Sequence, residues 1–233
     1  MKRMKAIVAY DGTSFFGYQK QPKKRTVQQQ LESVLAKIHK EESWKVVASG
    51  RTDTGVHSLG QTIHFDTTLS ILPEQWKKAF NSLLPEDIYV REVEHVSSTF
   101  HARYDAIAKM YQYKINTAEE KNIFKRNYEY YLREELSVGK MKQAANYLIG
   151  THDFTSFSSP RTAIVDKVRT IYTIHIDKNA DDWTITYIGN GFLYQMVRIL
   201  TGTLLQVGKG KIAPEEIPII LQKKNREYAG PTV

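Results

Sequence analysis

Ser49-Gly50-Arg51-Thr52-Asp53-Thr54-Gly55-Val56-His57 lies between two runs that read as strands, Trp44-Lys45-Val46-Val47-Ala48 before it and Gln61-Thr62-Ile63-His64-Phe65 after it. It holds two glycines, three hydroxyl residues, one carboxylate and one guanidinium, and almost nothing apolar. A connection that only turns the chain is usually shorter and does not need Arg and Asp two positions apart. Glycines on both sides of Asp53 permit turn geometry and let another molecule approach the backbone closely. A polar loop braced by local Asx and hydroxyl turns would share this composition. The rest of the chain has to decide between a connector and a site.

Upstream, Met4 to Tyr10 reads as a first strand, followed by the loop Asp11-Gly12-Thr13-Ser14-Phe15-Phe16-Gly17-Tyr18-Gln19. Thr26 is placed to cap a helix, with Gln29 in position to complete a capping box. Val27, Leu31, Val34, Leu35 and Ile38 fall on one face at helical spacing. Downstream, Pro73 opens a second helix whose apolar stripe is Trp76, Ala79, Phe80 and Leu83, and Ile88 to Val96 returns as a strand. The order strand, helix, strand, strand, helix, strand points to an α+β sandwich, helices on one face of a largely antiparallel sheet. From about residue 104 a similar order begins again. Ala106 to Ile115 is a strand with Lys109, Tyr111, Tyr113 and Ile115 on one face. An edge at Tyr128 to Tyr131 and a Ser137-capped helix closed by Gly150 follow, then strands at Val165–Ile176 and Trp183–Ile188. Helices from Phe192 to Val207 and from Pro214 to Lys223 complete the series. The two parts read as 1–103 and 104–233.

The formal net charge of +8 favours a polyanionic partner, because a positive surface field concentrates phosphates. The 14 Tyr, 9 Phe and 3 Trp interleaved with Lys and Arg suit unstacked bases, although most aromatics are structural. Cys is absent, which excludes disulfides and thiolate metal sites and agrees with a cytoplasmic protein. No apolar run is long enough to span a membrane, and the basic amino terminus lacks the apolar stretch of a secretory signal.

Three segments together resemble the A-type tRNA pseudouridine synthases, which modify the anticodon arm. They are Tyr10-Asp11-Gly12 with Phe15 or Phe16 and Gly17-Tyr18-Gln19, then Gly50-Arg51-Thr52-Asp53-Thr54-Gly55-Val56-His57, and Gly191-Phe192-Leu193-Tyr194-Gln195-Met196-Val197-Arg198. Lys109-Met110-Tyr111-Gln112-Tyr113 is similar to a further motif of that family. The resemblance implies two similar α/β-sandwich halves sharing an extended, mostly antiparallel sheet with a central cleft. It implies a homodimer acting on tRNA, and isomerisation of uridine at positions 38 to 40. The family also continues past the Ala229-Gly230-Pro231-Thr232 region with a final strand; the sequence to Val233 is either cut short of it or belongs to a member that has lost it.

Converting uridine to pseudouridine breaks the N1–C1′ bond, turns the base and forms a C5–C1′ bond, with no atom added overall. No redox cofactor or metal is required. The reaction does require a carboxylate, a partner that keeps it ionised, and a stacking surface for the extruded base. By resemblance Asp53 is the catalytic carboxylate, Tyr111 stacks on the target base, Arg51 helps extrude it and holds phosphate, and Arg198 pairs with Asp53. Arg198 also stands out physically: in a helix apolar on most of its circumference it must snorkel outward or meet an anion. For Tyr113 a core role is the better reading. Lys20, Lys23, Lys24 and Arg25 form a basic run that is either a solvated face or a path for an RNA arm. A metal held by Asp53, His57 and His64 lacks helical or Cys/His spacing. Gly150 to Phe157 also resembles a family feature, to which no chemistry is assigned. Competing functions are an RNA-binding homologue without catalysis and a metal-dependent hydrolase; the first would lack Asp53 or Arg198, the second needs a ligand cluster.

Overall fold

Strict alternation makes Lys2–Tyr10 (β1) a strand with one buried face: Met4, Ala6, Val8 and Tyr10 are buried while the residues between them are not. β1 is central. It pairs antiparallel with Ser58–Thr67 (β3) on one side and Ile88–Val96 (β4) on the other, and Val47–Ala48 (β2) adds to the outer edge of β3. Helices Val27–His39 (α1) and Pro73–Leu83 (α2) share one core with this sheet. Phe65 packs edge-on against Trp76 and Phe80, at 5.1 and 5.6 Å between ring centroids. The computed structural model describes residues 1–233, and these elements form the first of two compact units, Met1–Ala106 and Ile107–Val233.

Three expectations for this unit are corrected. Thr26 is the N-cap residue of α1 but makes no side-chain cap bond, and its buried hydroxyl has no hydrogen-bond partner. The chain enters α1 from a folded loop instead: the Gln28 and Val27 amides donate to the Tyr18 and Gly17 carbonyls at 2.9 and 3.4 Å, so main-chain oxygens do the capping. Leu83 is exposed, because α2 ends there and Leu84 turns inward to the core. Of the run from Trp44 to Ala48 only Val47 and Ala48 pair as strand. Trp44 instead stacks on His39 at 3.6 Å and donates its indole N–H to the Asp66 carbonyl.

The sheet face away from the helices is covered at one place by the segment from Ser97 to Asp105. Arg3 holds Asp66 through a bidentate pair, both contacts 2.7 Å, and donates to the Phe100 carbonyl at 2.8 Å. The Ala102 amide donates to Nδ1 of buried His64 at 3.1 Å, and the His101 ring meets His64 edge-on.

In the second unit Lys109–Asn116 (β5), Tyr130–Tyr131 (β6), Gly150–Asp153 (β7), Val168–Asn179 (β8) and Asp182–Gly189 (β9) form a sheet in the order β6-β5-β9-β8-β7. All pairs are antiparallel except the short β5–β6 pair. Helices Val138–Leu148 (α3), Met196–Gly208 (α4) and Ile217–Lys223 (α5) join its core, where Trp183, Ile185 and Tyr187 meet Met141, Leu148, Ile199 and Leu204. Ser137 caps α3 as read, accepting from the Lys140 amide. Both units therefore place helices against a mostly antiparallel sheet, an α+β arrangement. Strands β5 and β8 start three residues later than expected. Val165, read as strand, is almost wholly exposed. α4 begins at Met196, not Phe192, because Gln195 is in the left-handed region at φ 60° and cannot continue a helix backward.

His64 supplies a pH test. Its Nδ1 accepts an amide proton, so that atom must be unprotonated, and burial first, then Arg3 and His101, push its pKa below the usual imidazole value. Facing carboxylates of Asp66 and Asp105 oppose this without reversing it. A group depressed in the folded state stabilises fully above its unfolded pKa of about 6.5, and that stability is lost as pH falls below it. Denaturant unfolding at pH 7.5 and pH 5 should show an acid-side loss that is smaller in His64→Gln; equal losses would contradict the assignment.

Candidate functional site

Asp53 sits half-buried in the loop between β2 and β3, and several of the bonds that shape this loop come from the other loop singled out in the sequence, Asp11 to Gln19. The Tyr18 amide donates to the Thr52 carbonyl at 3.0 Å, and the Gly55 amide to the Phe15 carbonyl at 3.3 Å. The Tyr10 hydroxyl and Thr52 Oγ1 are 2.8 Å apart. The Val56 amide donates to the Asp53 carbonyl at 3.1 Å, closing a tight turn in which Gly55 takes φ 79°. At the loop's entry Gln61 donates its side-chain amide to the Gly50 carbonyl. At its exit the Gly12 amide donates to His57 Nδ1 at 3.1 Å, and the same nitrogen lies 3.0 Å from the Asp11 carboxylate.

Two glycines of the first loop exist for this contact. A methyl group on Gly12 would lie 2.1 Å from the Val56 carbonyl oxygen, and one on Gly17, at φ 83°, would lie 2.8 Å from the Thr52 oxygen. The catalytic candidate is therefore held by backbone packed on backbone, which no side chain could replace.

Arg51 lies in the same loop and is exposed. The basic run beside the loops is less available than its composition suggests. Arg25 makes a bidentate pair with Asp87 at 2.7 and 2.9 Å and lies over the Phe15 ring, while Lys20 meets Glu32 and Lys24 lies over Phe16. Arg25 is a structural residue here. His57 and His64 each receive a main-chain amide at Nδ1, and no three His, Asp or Glu side chains are grouped as a metal would need.

In the second unit Tyr111 and Arg198 come from segments that meet. The Tyr111 ring packs edge-on against Phe192, 5.2 Å between centroids, so the β5 motif touches the loop leading into α4. Tyr113, two residues along the same face, belongs to the core, where burial raises its pKa to about 12 against the opposing charge of Arg198. Arg198 is half-buried in the first turn of α4. Its Nε donates to the main-chain oxygen of Val233 at 2.6 Å. The tail from Ala229 to Val233 reaches it by crossing α4 at Gly202, where a methyl group would lie 1.8 Å from the Pro231 oxygen, while the Gly230 amide donates to Thr203 Oγ1. At least one of the guanidinium's five donors is thus answered by a main-chain oxygen.

Tyr10, Thr52 and Phe192 are the neighbours that sequence reading passed over. All three lie inside motifs whose charged members drew attention, and Tyr10 also read as the end of a strand.

Gly12→Ala should destabilise the first unit by roughly 1–3 kcal/mol, since the two loops must separate to admit the methyl group. Gly139→Ala is the control. Gly139 lies in α3 with nothing within 4 Å of its added carbon, so the change should be neutral or stabilise by up to about 1 kcal/mol. Denaturant midpoints of the two variants decide it; equal midpoints would mean the loop contact is not tight.

The sequence model of the tRNA pseudouridine synthase family matches residues 6–105 and 144–233. Asp53, Arg51 and Arg198 fall within the matched stretches and Tyr111 between them. The chain is 53% identical to the tRNA pseudouridine synthase A of Bacillus pumilus over 231 residues, covering 99% of this chain and 94% of that protein. It is 52% identical to that of Anoxybacillus flavithermus, covering 100% and 94%, and 51% identical to that of a Geobacillus strain, covering 99% and 93%. With its two loops locked around Asp53 and similarity extending over nearly its whole length, the chain belongs to the tRNA pseudouridine synthases, a family of isomerases.

Proposed function

We propose that this protein isomerises uridine to pseudouridine in the anticodon stem-loop of tRNA, at positions 38 to 40, with Asp53 as its catalytic carboxylate. The observation that carries the reading is the confinement of Asp53. Its loop is fixed by main-chain bonds on both sides of the residue, in a chain 53% identical to a protein named tRNA pseudouridine synthase A. A fixed carboxylate suits a reaction in which C1′ must leave N1 and be met by C5 without drifting apart. Arg51, exposed in the same loop, is suited to phosphate and to the space left by the extruded base. Tyr111 offers a ring for stacking, held at its edge by Phe192. Arg198 is the cation that would keep Asp53 ionised.

Atoms balance without a cofactor. The N1–C1′ bond breaks, C5 bonds to C1′, the C5 hydrogen leaves as a proton, and N1 regains one. Affinity for tRNA would come from phosphate contacts spread over a chain of net charge +8. The family resemblance extends the proposal to a homodimer working in the cytoplasm. No helix is long and apolar enough to cross a membrane.

Release of label from tRNA tritiated at uridine C5 tests the chemistry, since binding alone or strand cleavage would retain it. Asp53→Asn should abolish release and leave tRNA affinity within a fewfold, because Asn keeps the shape but cannot act as an anion. Near-normal turnover of that variant would overturn the assignment.

Tyr111 is tested by two replacements. Tyr111→Phe should stay active, whereas Tyr111→Ala should lose the stacking contribution of about 1–3 kcal/mol, roughly five- to 150-fold. Equal losses in single-turnover assays would make the hydroxyl the working group instead.

A further inference from the structure

We infer that the hydroxyl of Tyr10 positions Asp53, acting through Thr52; the inference rests on the reading of Asp53 as the catalytic carboxylate. Tyr10 ends β1, the central strand, with its side chain on the buried face that Met4, Ala6 and Val8 also occupy. A Phe would fill that volume equally well. The hydroxyl makes a 2.8 Å contact to Thr52 Oγ1, between a strand end and a loop 42 residues away. The β1–β3 pairing is irregular between Val8 and Tyr10, a distortion of the kind that re-aims a side chain at the rim of a sheet. A tyrosine hydroxyl in this corner does not find a partner by default. Tyr18, its ring 6.4 Å from that of Tyr10, buries its hydroxyl with no hydrogen bond at all.

Thr52 is the residue through which position would be transmitted. Its carbonyl oxygen, which accepts from the Tyr18 amide, lies in the peptide plane shared with the Asp53 nitrogen, so that bond fixes the plane leading into Asp53. The Tyr10 contact fixes the Thr52 side chain and prevents this plane from rolling about the chain axis. On the far side, the Val56 amide holds the Asp53 carbonyl. With both flanking peptides held, the carboxylate has little freedom beyond its own side-chain torsions. Removing the Tyr10 hydroxyl frees one of these constraints without changing any group that would meet the substrate. The expected signature is loss of rate with binding retained.

The experiment measures single-turnover tritium release, tRNA affinity and thermal melting for Tyr10→Phe, Thr52→Val, Thr52→Ser and Asp53→Asn. Tyr10→Phe and Thr52→Val should each slow release about ten- to a hundredfold, the range that follows from small misplacement of a reacting group. Affinity should stay within about twofold, and the double variant should be no slower than either single one. Thr52→Ser, which keeps the hydroxyl, should recover most of the rate lost in Thr52→Val. If Tyr10→Phe turns over at the wild-type rate while Asp53→Asn is inactive, the positioning role is overturned and the Asp53 reading stands. If the affinity of Tyr10→Phe falls in proportion to its rate, or Thr52→Ser fails to recover, the bond is merely structural and the inference is equally overturned. An active Asp53→Asn would remove the reading on which it rests, whatever Tyr10→Phe shows.

Discussion

Buried backbone groups must find hydrogen-bond partners, and in the first unit a single short loop answers that demand for two neighbours at once. The stretch from Phe15 to Tyr18 offers its carbonyls to the Gly55 amide and to the first amides of α1, while the Tyr18 amide takes the Thr52 carbonyl. Helix capping and loop placement are thereby the same event. α1 cannot start where it does unless the loop is folded, and the segment carrying Asp53 is one of the surfaces the loop folds against. From α1 the dependence runs into the core through Leu31 and Leu35, and through Trp76 and Phe80 of α2 to the sheet.

The second unit solves a different problem, a cation on an apolar helix. Arg198 could have been left to solvent along its stem. Instead the tail from Ala229 crosses α4 closely enough to require glycine at 202 and at 230, and presents the oxygen of Val233 to Nε. Partial burial with a main-chain acceptor restricts the orientation of the guanidinium's planar fork. The Tyr111 ring meets Phe192 edge-on, beside the loop that leads into α4.

Much of this was legible in the sequence, for identifiable reasons. The alternation in β1, β5 and β9 and the helical spacing in α1 and α3 place those elements because burial on one face imposes the period. Proline at 73 and serine at 137 mark helix starts through local chemistry. The sequence misled where a distant segment supplied what a local residue was expected to supply. Thr26 looks like a cap, but carbonyls from the preceding loop do the capping. Arg25 looks like part of a phosphate-binding run, but Asp87, 62 residues away, holds it. Likewise the start of α4 was misplaced because a left-handed Gln195 has no compositional signature. Of the candidate site, the motifs marked Asp53 and Arg198 and included Tyr10, while the contact of the Tyr10 hydroxyl with Thr52 was invisible, because only the folded chain creates it.

The placement of the three tryptophans has a practical consequence. Trp76 is wholly buried and Trp44 lies against His39 in the first unit, whereas Trp183 is buried under Lys178 in the second. Intrinsic fluorescence thus carries two separable signals. With Trp183 replaced by Phe, emission reports on the first unit alone; with Trp44 and Trp76 replaced, it reports on the second. Whether the two units melt in one cooperative step or in succession can therefore be read from the natural chromophores, with no added dye.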